Sequence, residues 1–381
     1  MSKRRKILIL KEQLLGGGAE KVLSTMLKYI DSSKFDITLC CVNDRGQYVD
    51  IIRPYVNYTY ILPNSAGYSG LKLLLYKLKY KAIYKWLPLS WVYRLYVPKD
   101  ADVEVAFVEG FDTKLLSHST NRHAKKIAWV HIDLDKFHWT DVVYKNAEEE
   151  KQAYSRYDQI VTVSETARRA IQKIYPDLKT PVQTLYNPID SDEIRRKASA
   201  RLQLPVKRRL RLVSIGRLTR QKAYDRLLRI MKKLKDEKYD IELWILGDGL
   251  EQWKLQQYIT ENQLDNCVTL WGFQQNPYAF LPSCDLFVCS SISEGYSTAV
   301  TEALIVGLPV ITTDCSGMAE LLKDGECGVI TENSEEALYE GLKKLLDTPG
   351  LIASYKEKAV SRGNEFTLPA LMKPIENLLL S

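Results

Sequence analysis

No apolar run in this chain approaches the length needed to cross a bilayer. After the basic Lys3 to Lys6 only Ile7 to Leu10 is apolar before Lys11 and Glu12, which is too short for a signal-peptide apolar region and fits a first buried strand. The seven cysteines are odd in number and show no C-x-x-C spacing. That argues against a disulfide framework or zinc site and for core thiols in a reducing compartment. The expectation is a cytoplasmic protein, soluble or held peripherally on the inner face of the membrane. Histidine is scarce, at four residues, and there is no internal repeat or low-complexity segment. Acids are missing between Leu71 and Lys99, where Lys72, Lys77, Lys79, Lys81, Lys85, Arg94 and Lys99 alternate with Tyr76, Tyr80, Tyr84, Trp86, Trp91, Tyr93 and Tyr96. Cations with interfacial aromatics and Leu are the makeup of a helix lying on an anionic membrane surface. A pair of amphipathic helices covering a sheet with their Lys outward is the other reading, and both can hold together. Nucleic acid is set aside because no recognition motif accompanies the aromatics.

What is present is ordinary globular composition, 45% hydrophobic and 27% charged over 381 residues, with a net charge of +7. The length suits two or three domains, and the modest positive excess suits phosphorylated ligands or anionic surfaces. Short apolar runs alternate with helical patterns, which predicts an α/β chain of parallel sheets in doubly wound domains. Strands are expected at Lys6 to Leu10, Ile37 to Val42, Tyr58 to Leu62, Val103 to Val108, Lys126 to Val130, Gln159 to Val163 and Val182 to Leu185. The second half repeats the scheme at Leu210 to Ile215, Glu242 to Leu246, Val268 to Leu270, Leu286 to Cys289, Val310 to Thr312 and Gly328 to Ile330. Helices are expected at Ala19 to Ile30 and Thr166 to Ile174, among others. Periodicity is lost at Asn187-Pro188-Ile189-Asp190, so domains 1–187 and 188–365 are expected, with the active site in the cleft between them, outside the strands' carboxyl ends.

The segment Ser293-Glu294-Gly295-Tyr296-Ser297-Thr298 runs from a strand into a helix that carries Glu302 one turn inside. Helix N-termini present unpaired N–H groups and partial positive charge, so Ser297, Thr298 and their amides suit a diphosphate. Glu302 suits neutral ribose hydroxyls better than phosphate. After the strand at Leu210 to Ile215 comes Gly216-Arg217-Leu218-Thr219-Arg220-Gln221-Lys222, whose Arg217 and Lys222 can converge on a diphosphate, one as a planar fork and one as a point charge. Gly16-Gly17-Gly18-Ala19-Glu20-Lys21 opens the first helix and would let backbone approach an anion. It is not a dinucleotide fingerprint, because Lys stands where G-x-G-x-x-G needs its third Gly. His131, in Trp129-Val130-His131-Ile132-Asp133-Leu134-Asp135, ends a strand in the expected cleft. Gly247-Asp248-Gly249 reads as a tight turn near the nucleotide, and Ser164 reads as a helix N-cap.

The spacing E-x7-E at Glu294 and Glu302, followed by E-A-L-x-x-G-x-P-V, resembles the retaining glycosyltransferases of family 4, which have the two-domain GT-B fold and use nucleotide-activated sugars. Gly216 to Lys222 is similar to that family's G-R-L-x-x-x-K-G, with Ala223 in place of the last Gly. The resemblance implies an acceptor-binding first domain, rejoined by a terminal helix at 366–381, and a donor-binding second domain. It implies that Arg217 and Lys222 neutralise the diphosphate, that Glu294 faces the sugar and Glu302 the ribose, and that His131 lies near the scissile bond. Gly17, Gly18, Gly216, Gly247, Asp248, Phe273, Tyr296, Ser297 and Thr298 complete the implied donor site, and Glu109 and Glu20 are implied acceptor contacts. The expected reaction moves a hexose or N-acetylhexosamine from a UDP-sugar to a glycan or lipid-linked saccharide, in bacterial surface polysaccharide or lipopolysaccharide synthesis. No metal or other cofactor is expected; the D-x-D of Asp133 and Asp135 belongs to another architecture. A phosphorylase of the same architecture and a catalytically silent nucleotide-sugar-binding protein remain as alternatives.

Overall fold

The computed structural model describes residues 4–381. The chain forms two compact units, one running up to Pro188 and including Pro369–Ser381, the other Ile189–Leu368. The first holds β1 (Arg5–Lys11), β2 (Phe35–Asn43), β3 (Asn57–Leu62), β4 (Val103–Ala106), β5 (Lys125–Val130), β6 (Gln159–Thr162) and β7 (Val182–Thr184). They form a parallel seven-stranded sheet in the order β3-β2-β1-β4-β5-β6-β7, in which Ile7 pairs with Ile37 on one side and Val103 on the other. In a parallel sheet both faces are covered, so central strands must be apolar throughout; Ile7, Leu8, Ile9 and Leu10 are each at most 1% exposed. The last helix, Leu368–Leu380, belongs to this unit: Glu376 receives the Asp31 amide and pairs with Lys34, and Lys125 reaches Leu378 O and Ser381 Oγ.

The second unit holds β8 (Leu210–Ile215), β9 (Ile241–Leu246), β10 (Val268–Gly272), β11 (Leu286–Cys289), β12 (Val310–Thr313) and β13 (Val329–Thr331). Their order, β10-β9-β8-β11-β12-β13, repeats the logic of the first sheet: the chain steps outward on one side, then restarts on the other. The flanking helix Tyr224–Asp236 turns Leu227, Leu228, Ile230, Met231 and Leu234 inward at helical spacing. Helix Thr298–Ile305 lies so close to Leu351–Glu365 that a Cβ at Gly363 would stand 2.1 Å from Leu304 O. Only glycine permits that approach, and it holds the helix that begins at the site.

The basic aromatic stretch folds as helix Gly70–Lys81, a π-turn at Ala82–Trp86 and helix Leu89–Tyr96. Its inner side covers the sheet through Ile83, Val92 and Tyr93. Helix Gly70–Lys81 buries no residue fully, and Leu71, Leu74, Leu75 and Leu78, one face at helical spacing, are 43–71% exposed. One expectation is corrected: Lys79 does not point outward but donates to Ile61 O at 2.7 Å and lies over the Tyr96 ring. Among the described residues no helix is long and apolar enough to cross a membrane.

Candidate active site

In the second unit the strand order reverses between β8 and β11, and connections leaving the carboxyl ends of two such strands diverge and open a crevice. Both charged segments leave from that point. Lys222 Nζ lies 2.6 Å from Glu294 Oε1, and Ser291 Oγ donates to the same oxygen at 2.6 Å. The two segments are laced together besides: the Ile292 amide donates to Gln221 O, Gln221 Nε2 to Ser293 O, and Ser290 Oγ to Lys222 O, each at 2.8 Å. Glu294 is only 8% exposed. Burial pushes the Lys222 ammonium down, but the adjacent Glu294 charge outweighs it and holds the group above the ordinary lysine range. The lysine is therefore cationic at any physiological pH. Arg217 extends from the same loop, exposed and without an ion-pair partner among the described residues.

Ser297 caps helix Thr298–Ile305, its hydroxyl accepting the Val300 amide. A helix leaves its first-turn amides without intrahelical partners, and the cap takes up one of them. Thr298 is half-buried, Tyr296 and Glu302 are buried, and Glu302 stands one turn along the helix. Gly247, Asp248 and Gly249 pack on the Gly216 loop: the Leu218 amide donates to Asp248 O at 2.7 Å, and the Glu251 amide to Leu218 O. A Cβ on Gly247, whose φ is +139°, would lie 2.0 Å from Gly216 O. Gly247→Ala is therefore expected to lower stability by about 3 kcal/mol, read as a fall in the urea midpoint; an unchanged midpoint would contradict this packing. Phe273, just beyond β10, is 58% exposed.

The first unit has its own reversal, between β1 and β4. Gly17 precedes and Gly18 begins the helix Gly18–Tyr29 that follows β1. Lys11, at the end of β1 and 6% exposed, sits 3.3 Å from Glu20 and 3.9 Å from Asp112. Glu109, beyond β4 and 5% exposed, accepts the His131 amide at 2.8 Å and Trp139 Nε1 at 3.0 Å. Burial raises the pKa of Glu109 despite those donors, and raises that of Asp112 well above the carboxylate range despite Lys11. The His131 ring lies against Phe107, with Nε2 buried and without a hydrogen-bond partner among the described residues. Burial, reinforced by the Lys11 charge, lowers its pKa to about 3, so it is a neutral imidazole near pH 7.

That depression has a sign. Between pH 6.5 and about 3 the unfolded chain binds a proton at His131 that the folded chain does not, so this contribution is complete above pH 6.5 and is lost as pH falls. His131→Gln removes the term, and the difference in unfolding free energy between wild type and variant is expected to shrink by about 1.4 kcal/mol per pH unit below pH 6. Parallel profiles would mean that His131 titrates normally.

Asp133 and Asp135 do not converge: Asp133 Oδ1 accepts the amides of Asp135 and Lys136, forming a turn, and Asp135 pairs with Lys173 at 2.6 Å. Ser164 caps its helix through the Ala167 amide, as its sequence context predicts. Sequence reasoning passed over Lys11, Asp112, Trp139 and Ser291. Lys11 left a faint signal, a cation directly after four apolar strand residues.

Residues 195–362 match the family model for glycosyl transferases group 1. Over 359 residues and 92% of both chains, the protein is 29% identical to the N-acetylgalactosamine-N,N'-diacetylbacillosaminyl-diphospho-undecaprenol 4-alpha-N-acetylgalactosaminyltransferase of Campylobacter jejuni. It is 27% identical to the lipopolysaccharide core biosynthesis glycosyltransferase LpsE of Rhizobium meliloti, over 40% of this chain and 43% of that one. Among solved structures, Anabaena HepE in complex with UDP and glucose superposes with a TM-score of 0.77 at 18% identity, covering 99% of this chain and 100% of that one. Two parallel sheets with flanking helices and the superposition on HepE agree that the chain has the GT-B fold, and its residues 195–362 carry the group 1 glycosyltransferase match.

Proposed function

We propose that the protein is a retaining glycosyltransferase of family 4 that moves a hexose or N-acetylhexosamine from UDP to a lipid-linked saccharide in bacterial surface polysaccharide or lipopolysaccharide synthesis. The observation that carries this reading is the Lys222–Glu294 pair, set at the β8/β11 reversal beside Arg217 and the start of helix Thr298–Ile305. Transfer breaks the bond between the anomeric carbon and the diphosphate, whose oxygen keeps the electron pair. Arg217, Lys222 and the first-turn amides meet that growing negative charge, the contribution usually worth most in catalysis. They do so without a metal or other cofactor. The acceptor oxygen bonds to the anomeric carbon on the face the leaving group departs, and its proton passes to a diphosphate oxygen. Glu294, with Oε1 already holding Lys222 and Ser291, orients the sugar and does not become a covalent nucleophile; Glu302 receives the ribose hydroxyls.

The second unit thus handles the donor and the first, which carries the neutral imidazole of His131, the acceptor. The Campylobacter relative's acceptor is a diphospho-undecaprenol saccharide by name, which supports a membrane-borne acceptor here. The exposed Leu face of helix Gly70–Lys81 supports contact with an anionic bilayer. A screen of UDP- and GDP-sugars against lipid-linked saccharides, detecting released nucleotide and the product's anomeric configuration, tests the reading. Transfer from a UDP-sugar with retention is expected; inversion, or no release from any UDP-sugar, would overturn it.

A further inference from the structure

The first unit contains a cavity of about 390 Å³ that none of the residues discussed so far explains. It lies beyond the carboxyl ends of β1, β2 and β3, which bring Glu12, Asn43, Arg45 and Asn64 to its wall, and helix Gly70–Lys81 closes it with Tyr76 and Tyr80. Its volume falls within the ~300–1,000 Å³ of small-molecule sites, and strand carboxyl ends are where such sheets bind ligands.

The wall is organised. Asn43 Nδ2 donates to Tyr84 OH at 2.7 Å, and Tyr84 OH donates to Glu12 Oε1 at 2.7 Å. This relay fixes both side chains while leaving Glu12 Oε2 and Asn43 Oδ1 without a partner among the described residues. The Arg45 guanidinium likewise has no side-chain partner among them. Tyr80 stacks on Tyr84 at 4.5 Å and Tyr84 on Phe111 at 4.4 Å, so the aromatic wall is the end of a rigid column anchored in the core. Acceptors and a guanidinium held in place beside flat, partly exposed phenol rings match one ligand chemistry. A pyranose ring offers hydroxyls that both donate and accept, and an apolar C–H face that lies on an aromatic ring.

We infer that this cavity is a saccharide-binding site that takes one hexopyranose unit of the acceptor, an assignment that rests on the transferase reading. The site sits on the inner side of the helix whose outer face carries Leu71, Leu74, Leu75 and Leu78. A sugar in the cavity and its lipid on that face would be handled by one element.

The test is ligand-observed NMR on the full chain with the methyl α-glycosides of glucose, galactose, N-acetylglucosamine and N-acetylgalactosamine, under saturating UDP to fill the donor site. At least one glycoside should give a saturation-transfer signal that UDP does not displace. Arg45→Ala and Tyr80→Ala should each reduce it at least fivefold, with UDP affinity unchanged. Arg45 is exposed and its guanidinium unpaired among the described residues, so its variant keeps the test valid even if the tyrosine variant unfolds. Absence of any glycoside signal under UDP, or a signal equal to wild type in Arg45→Ala, would overturn the inference. Failure of the transferase reading shows separately, as absence of nucleotide release from every donor.

Discussion

Lys222→Ala is expected to lower kcat/KM for sugar transfer by about a thousandfold, a loss of ~4 kcal/mol of transition-state stabilisation. Two effects combine. The variant lacks one of the two cations that meet the leaving diphosphate in the proposed reaction, and it strips Glu294, 8% exposed, of its only ion-pair partner among the described residues. Leaving a buried carboxylate with Ser291 alone also costs ~3 kcal/mol of folding stability, which a urea titration would register independently of activity. Lys222→Met with Glu294→Gln separates the terms: the neutral pair has no stranded charge, so stability should recover while transfer stays low. If the two side chains act as a unit, the double variant will be no slower than the worse single one. Lys222→Ala retaining more than a tenth of wild-type turnover would remove Lys222 from the chemistry.

The architecture was legible because buried parallel strands are short apolar runs between helical patterns. Leu210 to Ile215 and Leu286 to Cys289 are strands with the boundaries expected of them, and the remaining strand ends coincide or differ by at most two residues, as fraying ends do. The Arg217–Lys222 and Glu294–Glu302 segments were legible for a related reason: each sits in one strand-to-helix connection, so its spacing is a local property. What joins them is not local. Lys222 and Glu294 are 72 residues apart, and nothing in either segment tells that Ser291 will share the carboxylate oxygen. Lys11 and Glu20 come from β1 and the helix after it, and Asp112 from the helix after β4, on the other side of the β1/β4 reversal, so only the fold brings the Asp112 charge to the other two. Lys79 was misplaced because composition records how many lysines a helix carries, whereas its π-turn and the end of β3 decide which one bends inward to Ile61 O.

Charge-to-neutral changes on that helix and the π-turn after it should nearly abolish the proposed membrane binding. The set proposed to face a bilayer is Lys72, Lys77, Lys81 and Lys85, all exposed, with Lys79 excluded because its ammonium is held at Ile61 O and its pKa is lowered by burial. A basic residue near an anionic surface contributes about 1 kcal/mol. Four changes to Gln should therefore weaken pelleting with phosphatidylglycerol-rich vesicles by ~4 kcal/mol, roughly a thousandfold in partition coefficient. Changing Lys79 alone should leave pelleting unaltered. Leu71, Leu74, Leu75 and Leu78, 43–71% exposed on one face, supply the apolar part, so their replacement by Ser should weaken binding even to neutral vesicles and at high salt, where screening removes the lysine contribution. Neither set belongs to the unit that holds the Lys222–Glu294 pair, and transfer to a short-chain, water-soluble acceptor should stay at the wild-type rate in both. Equal pelleting of wild type and the four-Gln variant would show that these lysines only solvate the surface. Lost transfer to the soluble acceptor would instead mean that the helix serves the site and not the membrane.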